Sequence, residues 1–182
     1  MLKVYKEKLV KTISLFDQNL NENFELLKTN VIKSLRSGGK VIFFGNGGSA
    51  SDAEHLATEF IIKFKKKRIS LPAISLTTNT SLITACANDF NFNYIFKRQL
   101  ESLLNKKDVA IGISTSGKSK NVIMAMDFAK KNKNFVCLLT GINKVSNKYD
   151  CKISIPSKET ARIQECHILI GHALIEEIEK EF

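Results

Sequence analysis

The sequence predicts an α/β protein, a parallel sheet with helices on both faces. Two observations carry this. Short continuous apolar runs recur and end at turns, as in strands buried on both faces. Helix-spaced stretches lie between those runs, and strand, turn and helix in alternation build a parallel sheet.

From the N-terminus, Leu2, Tyr5, Leu9, Ile13, Phe16, Leu20, Phe24, Leu27, Val31 and Leu35 recur at steps of three or four. This is a helical stripe longer than an ordinary globular helix. Asn19–Asn23 is the expected place for a break. The stripe needs a partner surface, either its own domain or another subunit. The character changes at Ser37-Gly38-Gly39-Lys40, where Val41-Ile42-Phe43-Phe44 opens the strands. Further strands are expected at Ala73–Thr77, Val109–Ser114, Phe135–Thr140 and Lys152–Ile155. Helices are expected at Ser49–Phe64, Thr80–Ala87, Tyr94–Leu104, Ser119–Lys131 and Thr160–Glu181. Residues 1–37 then read as a helical segment, an oligomerisation segment if its partner is another subunit, and 38–182 as an α/β core, together one domain across 1–182. Ligands of such sheets bind at the carboxyl ends of the strands, so the turns after the first and third strands matter most.

Composition narrows the class. Two Pro and nine Gly in 182 residues exclude collagen-like and Pro/Gly-rich disordered chains. The 28 Lys+Arg against 18 Asp+Glu leave a formal +10, which excludes an acidic disordered chain. The one dense basic run is Lys63, Lys65, Lys66, Lys67 and Arg68. It has no reading helix or stacking aromatics beside it, so nucleic-acid binding is not expected; steering of a phosphorylated ligand is. The four Cys lie far apart without a C-x-x-C, and Cys86 and Cys137 sit in apolar surroundings. That pattern reads as buried thiols in a reducing compartment. No run approaches membrane-span length and no signal-peptide core follows Met1, so a cytoplasmic protein is expected.

The first turn reads Gly45-Asn46-Gly47-Gly48-Ser49-Ala50. Glycines let backbone approach an anion at a helix N-terminus. The text matches the dinucleotide fingerprint, but that motif also needs an acid about 20 residues on. Ile61 to Thr80 hold no Asp or Glu, so a nicotinamide cofactor is not expected. The third strand ends in Ser114-Thr115-Ser116-Gly117-Lys118-Ser119. One Ser would satisfy an N-cap; four hydroxyls in six residues exceed that need and suit a phosphate cradle. His55 lies four residues before Glu59, on one helix face. The last helix carries Arg162, Gln164, Glu165, His167 and His172 among apolar residues, as satisfied core groups or as a site.

Gly45–Glu59 (GNGGSASDAEHLATE), Ala87-Asn88-Asp89-Phe90, Gly112–Ser119 (GISTSGKS) and Thr160–His172 (TARIQECHILIGH) stand in order over nearly the whole chain. Together they resemble the sugar-isomerase (SIS) domain, and within it the sedoheptulose-7-phosphate isomerase family. The resemblance implies a three-layer fold with a five-stranded parallel sheet flanked by helices and an N-terminal helical extension. It implies a homotetramer with sites at subunit interfaces. It implies interconversion of sedoheptulose 7-phosphate and D-glycero-D-manno-heptose 7-phosphate, the opening step toward nucleotide-activated heptose for lipopolysaccharide, capsule or S-layer glycans. Carried over by position, Ser114, Ser116 and Ser119, with Thr115, hold the phosphate. Asn46, Gly47, Gly48, Ser49, Asn88 and Asp89 line the sugar chain. His55, Glu59, Gln164 and His172 match the ligands of one zinc per subunit, catalytic or displaced by substrate. Gln164 also matches a substrate contact, and Glu59 and His172 match the acid/base pair. After Glu59 the family's Arg-aromatic pair is replaced here by Lys63-Phe64, while Arg162 is retained. A relative in the family is a non-catalytic scaffold that binds a replication initiator, which stands as the alternative.

If Gln164 and His172 are both helical, about 12 Å of helix axis separates them, far for a shared ion with bonds of about 2 Å. Either the helix begins after Gln164 or the site draws ligands from two subunits. The expectation is assembly between chains, with activity returning when inactive Glu59→Gln and His172→Ala proteins are mixed.

Overall fold

The computed structural model describes residues 1–143 and 148–182. Two N-terminal helices, α1 (Leu2–Ser14) and α2 (Gln18–Arg36), precede β1 (Val41–Gly45) and α3 (Gly48–Ile61). Then follow β2 (Ala73–Ser75), α4 (Thr80–Asp89), a 3-10 turn at Phe92–Tyr94, α5 (Lys97–Leu103), β3 (Val109–Ile113) and α6 (Lys120–Lys131). β4 (Phe135–Gly141), β5 (Cys151–Ile155) and α7 (Thr160–Ile178) complete the fold. All strands are parallel, in the order β2-β1-β3-β4-β5.

Alternate residues of each strand face opposite layers. Val41 and Phe43 join one core with α2, α3 and α7; Ile42 and Phe44 join the other with α5 and α6. All five residues of β1 and of β3 are buried, which is why these strands read as unbroken apolar runs. The expected three-layer architecture is therefore present, including the helical extension.

The extension breaks earlier than expected. Asp17, not the Asn19–Asn23 stretch, starts α2, its carboxylate accepting from the Leu20 N–H at 2.8 Å. A carboxylate at the N-cap satisfies an orphan donor, whereas Asn23 lies within the helix and donates to the Asn19 carbonyl. Leu20, Leu27, Val31 and Leu35 pack in the chain's own core, while Leu2 and Tyr5 stay exposed. The expected 94–104 helix is shorter: Asn91 caps the 3-10 turn and α5 starts only at Lys97. β2 ends at Ser75, whose hydroxyl turns back to that of Thr77 at 2.6 Å. All four cysteines are free and buried, Cys151 and Cys166 as well as Cys86 and Cys137. No described helix is long and apolar enough to cross a membrane.

The basic run is not a solvated face throughout. Arg68 and Glu179 are paired at 3.1 Å with side chains 2% and 1% exposed. Glu179 also accepts from the backbone N–H groups of Phe64, Lys65 and Lys66. Burial pulls its pKa up, but those three donors and Arg68 outweigh it and hold the carboxyl below its ordinary range. Arg68 further donates to the Phe60 and Glu59 carbonyls, so it closes the end of α3. Lys65 pairs with Glu176. Part of the charge assigned to steering thus fastens the segment after α3 to α7. Glu179→Ala would leave Arg68 buried and unpaired, with a loss of about 3 kcal/mol and roughly 6–12 °C in Tm. Thermal unfolding measures this, and an unchanged Tm contradicts it.

His167 on α7 is fully buried, and neither ring nitrogen meets a hydrogen-bond partner. Burial pushes its pKa down to about 4, against a lesser opposing pull from the Thr140 backbone. In the unfolded chain the group titrates near 6.5. Between those values the unfolded state binds a proton that the folded state refuses, so stability falls as pH drops through that window and is whole above it. His167→Phe should therefore flatten the loss of unfolding free energy between about pH 6.5 and pH 4, read by denaturant titration at each pH. An equally steep slope in the variant contradicts this.

Candidate active site

Strand order reverses between β1 and β3, and at such a point the chain leaves a crevice beyond the carboxyl ends. The two strands end level, with Gly45 opposite Ile113. Their helices α3 and α6 then depart on opposite faces. The two turns singled out from the sequence flank this crevice.

In the first turn Gly47 has φ +57° and ψ −123°, a conformation that side-chain-bearing residues rarely adopt. The Ser49 N–H donates to the Asn46 carbonyl at 3.1 Å, starting α3. A Cβ on Gly48 would collide with the Gln164 amide, so Gln164 of α7 lies directly over this turn. The Asn46 side chain does not point free. It exchanges two hydrogen bonds with Asn121 of α6, at 2.9 and 2.8 Å.

In the second turn the Ser114 and Ser119 hydroxyls meet at 2.9 Å, and Gly117 takes φ +65°. Ser119 occupies the N-cap of α6 but makes no side-chain cap bond, so capping does not account for these hydroxyls. Ser116 is exposed and accepts from the Lys118 N–H at 3.2 Å. The Thr115 carbonyl accepts from the Gly141 N–H, pinning the loop to β4. Hydroxyls at a helix start, beside its orphan N–H groups, suit an anion.

On the α3–α7 side, Gly171 has no room for a Cβ against Leu56, and that close approach brings α7 onto α3. As a result His55 and His172 face each other with Nε2 atoms 2.9 Å apart. Glu59 Oε1 lies 3.8 Å from His55 Nε2. Phe64 stacks on His172 with centroids 4.9 Å apart. Burial lowers the His172 pKa and His55 lowers it further, while Glu59 pulls the other way. So His55, Glu59 and His172 come together within one chain. Asp52 joins them on the same face of α3, a residue the sequence reading missed although its i, i+3 spacing to His55 places it there. Burial raises its pKa to about 6, partly countered by His55, and its Oδ2 is buried without a partner.

Other expected site residues stand apart. Asn88 and Asp89 are exposed and hydrogen-bond each other at 2.9 Å at the far end of α4. Asn88 lies about 12 Å of helix axis beyond Thr80. Arg162 pairs with Glu165 and lies over the Tyr5 ring of α1. Gln164 and His172 both lie inside α7, so the helix does not begin after Gln164.

The donor types at His55, Glu59 and His172 suit zinc, which takes imidazole nitrogen and carboxylate oxygen. Among the described residues, no three His, Cys, Asp or Glu side chains surround a common ion position as they stand. The two imidazoles touch directly; as ligands of one tetrahedral zinc they would sit about 3.3 Å apart.

Residues 4–141 match the family described as the SIS domain. The chain is 46% identical over 170 residues to the phosphoheptose isomerase of Paramagnetospirillum magneticum, covering 92% of this chain and 88% of that protein. It is 43% identical over 182 residues to that of Thermodesulfovibrio yellowstonii, covering 97% and 89%. Among solved structures, a phosphoheptose isomerase from Francisella tularensis superposes with TM-score 0.93 at 33% identity, over 98% of this chain and 96% of that one. The phosphoheptose isomerase from Neisseria gonorrhoeae gives TM-score 0.88 at 33% identity, over 98% and 97%. With its hydroxyl loop after β3 and its His–Glu cluster on α3 and α7, the chain belongs to the SIS domain family and, within it, to the phosphoheptose isomerases.

Proposed function

We propose that this protein interconverts sedoheptulose 7-phosphate and D-glycero-D-manno-heptose 7-phosphate through an enediolate. The observation that carries this is the gathering of His55, Glu59 and His172 on α3 and α7, the two helices that meet over the glycine turn. In the ketose-to-aldose direction the Glu59 carboxylate takes a proton from C1. It returns a proton to C2 after the electrons have moved through the enediolate. His172, whose pKa burial and His55 lower, can move a proton between the oxygens on C1 and C2. Ser114, Ser116 and Ser119, with the first N–H groups of α6, hold the phosphate, and the glycine turn lies along the polyol.

Zinc, one per subunit, would be held by His55, Glu59 and His172, with Gln164 as the more distant fourth partner. When bound, it supplies Lewis-acid stabilisation of charge on the hydroxyl–carbonyl pair. Base and ligand roles compete for the same Glu59 lone pairs.

A homotetramer with sites at subunit interfaces fits two features. Leu2, Val4, Tyr5 and Val10 leave α1 with exposed apolar surface, and Asn88 and Asp89 are exposed at the far end of α4, open to a neighbouring copy. Assembly between chains then concerns Asn88 and Asp89. Glu59 and His172 already meet within one chain, so mixing Glu59→Gln with His172→Ala protein is no longer the diagnostic experiment. Four buried free thiols suit a reducing cytoplasm, and the product suits activated-heptose assembly for lipopolysaccharide or capsule. The non-catalytic scaffold reading has no use for a placed carboxylate–imidazole set.

Purified protein should convert sedoheptulose 7-phosphate, followed by NMR. Glu59→Gln should reduce kcat by about 10²–10⁴-fold with its Tm retained. Full activity in the folded variant removes Glu59 as the base.

A further inference from the structure

Asn121 carries a buried carboxamide, 2% exposed, in the first turn of α6. Three hydrogen bonds fix it. Its Nδ2 donates to Asn46 Oδ1 at 2.8 Å, and its Oδ1 accepts from Asn46 Nδ2 at 2.9 Å. The same Oδ1 accepts from the Val122 N–H at 2.9 Å. The backbone donor settles which end of the Asn121 amide is oxygen, and the reciprocal pair then settles that of Asn46.

This pair spans the crevice at its base. α3 and α6 leave neighbouring strands on opposite sides of the sheet, so their helix packing does not set the distance between the two turns. The β1–β3 pairing sets it as far as Gly45 and Ile113; beyond those residues the amide pair ties Asn46 to Asn121. Asn46 governs the glycine turn through its own carbonyl, which accepts the Ser49 N–H. That turn leads into α3, which carries His55 and Glu59. Asn121 lies two residues beyond Ser119 of the hydroxyl loop.

We propose that Asn121 is a positioning residue for the isomerisation, acting through Asn46 to hold the glycine turn at a set distance from the phosphate loop. The inference rests on the sugar-phosphate reading above. A seven-carbon substrate is fixed by phosphate at one end and reacts at the other. A slide of one turn against the other therefore displaces C1 and C2 from Glu59 while leaving the phosphate contacts whole. The Asn46 amide, expected from the sequence to line the sugar, is engaged with Asn121 first.

The test is steady-state kinetics on sedoheptulose 7-phosphate for the wild type, Asn46→Ala, Asn121→Ala and the double variant. Asn121→Ala should lower kcat by about 10–100-fold, the scale of a reacting group misplaced by about an ångström. KM should change by less than about threefold, because the serine loop is intact. The double variant should lose no more than about threefold beyond Asn46→Ala, since both substitutions break one interaction. Losses that multiply overturn the proposal, as does wild-type kcat in folded Asn121→Ala with only a lowered Tm. If Asn121→Ala fails to fold, Asn121→Asp serves. It keeps the acceptor for Val122 and Asn46 and removes one donor, so kcat should fall in the same direction. Wild-type kcat in Asn121→Asp overturns the proposal. A wild-type protein that does not turn over the substrate overturns the sugar-phosphate reading and this inference with it. An active wild type with an unaffected variant overturns the inference alone.

Discussion

The reversal of strand order between β1 and β3 is the constraint on which the rest depends. Two buried parallel strands end level, and the helices that follow must cover opposite faces of the sheet. Backbone that would otherwise pack on itself is left open at that edge. Both turns there are short and glycine-bearing, and one is rich in hydroxyls. A phosphate ester can enter where no bulky side chain stands and where helix N–H groups are unspent. The proposed base need not lie in either turn. It need only lie on a helix that starts from one of them, as Glu59 does on α3.

α7 completes the site by docking rather than by sequence proximity. Gly171 permits its close approach to Leu56, and that approach brings His172 against His55. At the other end of the same packing, Glu179 gathers Arg68 and three backbone N–H groups. The net +10 thus divides. Some of it surrounds the protein as solvated lysine, and some is interior cement between α7 and the segment after α3. In the proposed reaction the phosphate would be left mainly to neutral hydroxyls and backbone.

Local chemistry was legible in the sequence. Strands buried on both faces read as apolar runs because β1 and β3 have no solvent side. The glycine turn, the hydroxyl cluster and the His55–Glu59 spacing each express a rule that acts within a few residues. The break at Asp17 was legible too, but an Asn-rich stretch drew the eye from a better N-cap. What was not legible depends on partners far along the chain. Asn46 meets Asn121 across 75 residues, and His55 meets His172 across 117. Nothing near Arg68 marks it as a buried group, since Glu179 lies 111 residues away. The family resemblance supplied residue roles at the site, but it did not disclose the Asn46–Asn121 bridge.

Proton transfer by Glu59 through an enediolate is the central claim, and its most direct test follows hydrogen at carbon. Sedoheptulose 7-phosphate is converted by the wild-type protein in D2O, and the heptose 7-phosphate product is read by NMR. Glu59 is 20% exposed at its side chain, so its proton can exchange with solvent before return, and deuterium should appear at C2. A product whose C2 carries only protium, transferred intact from C1 as in a hydride shift, would contradict the account.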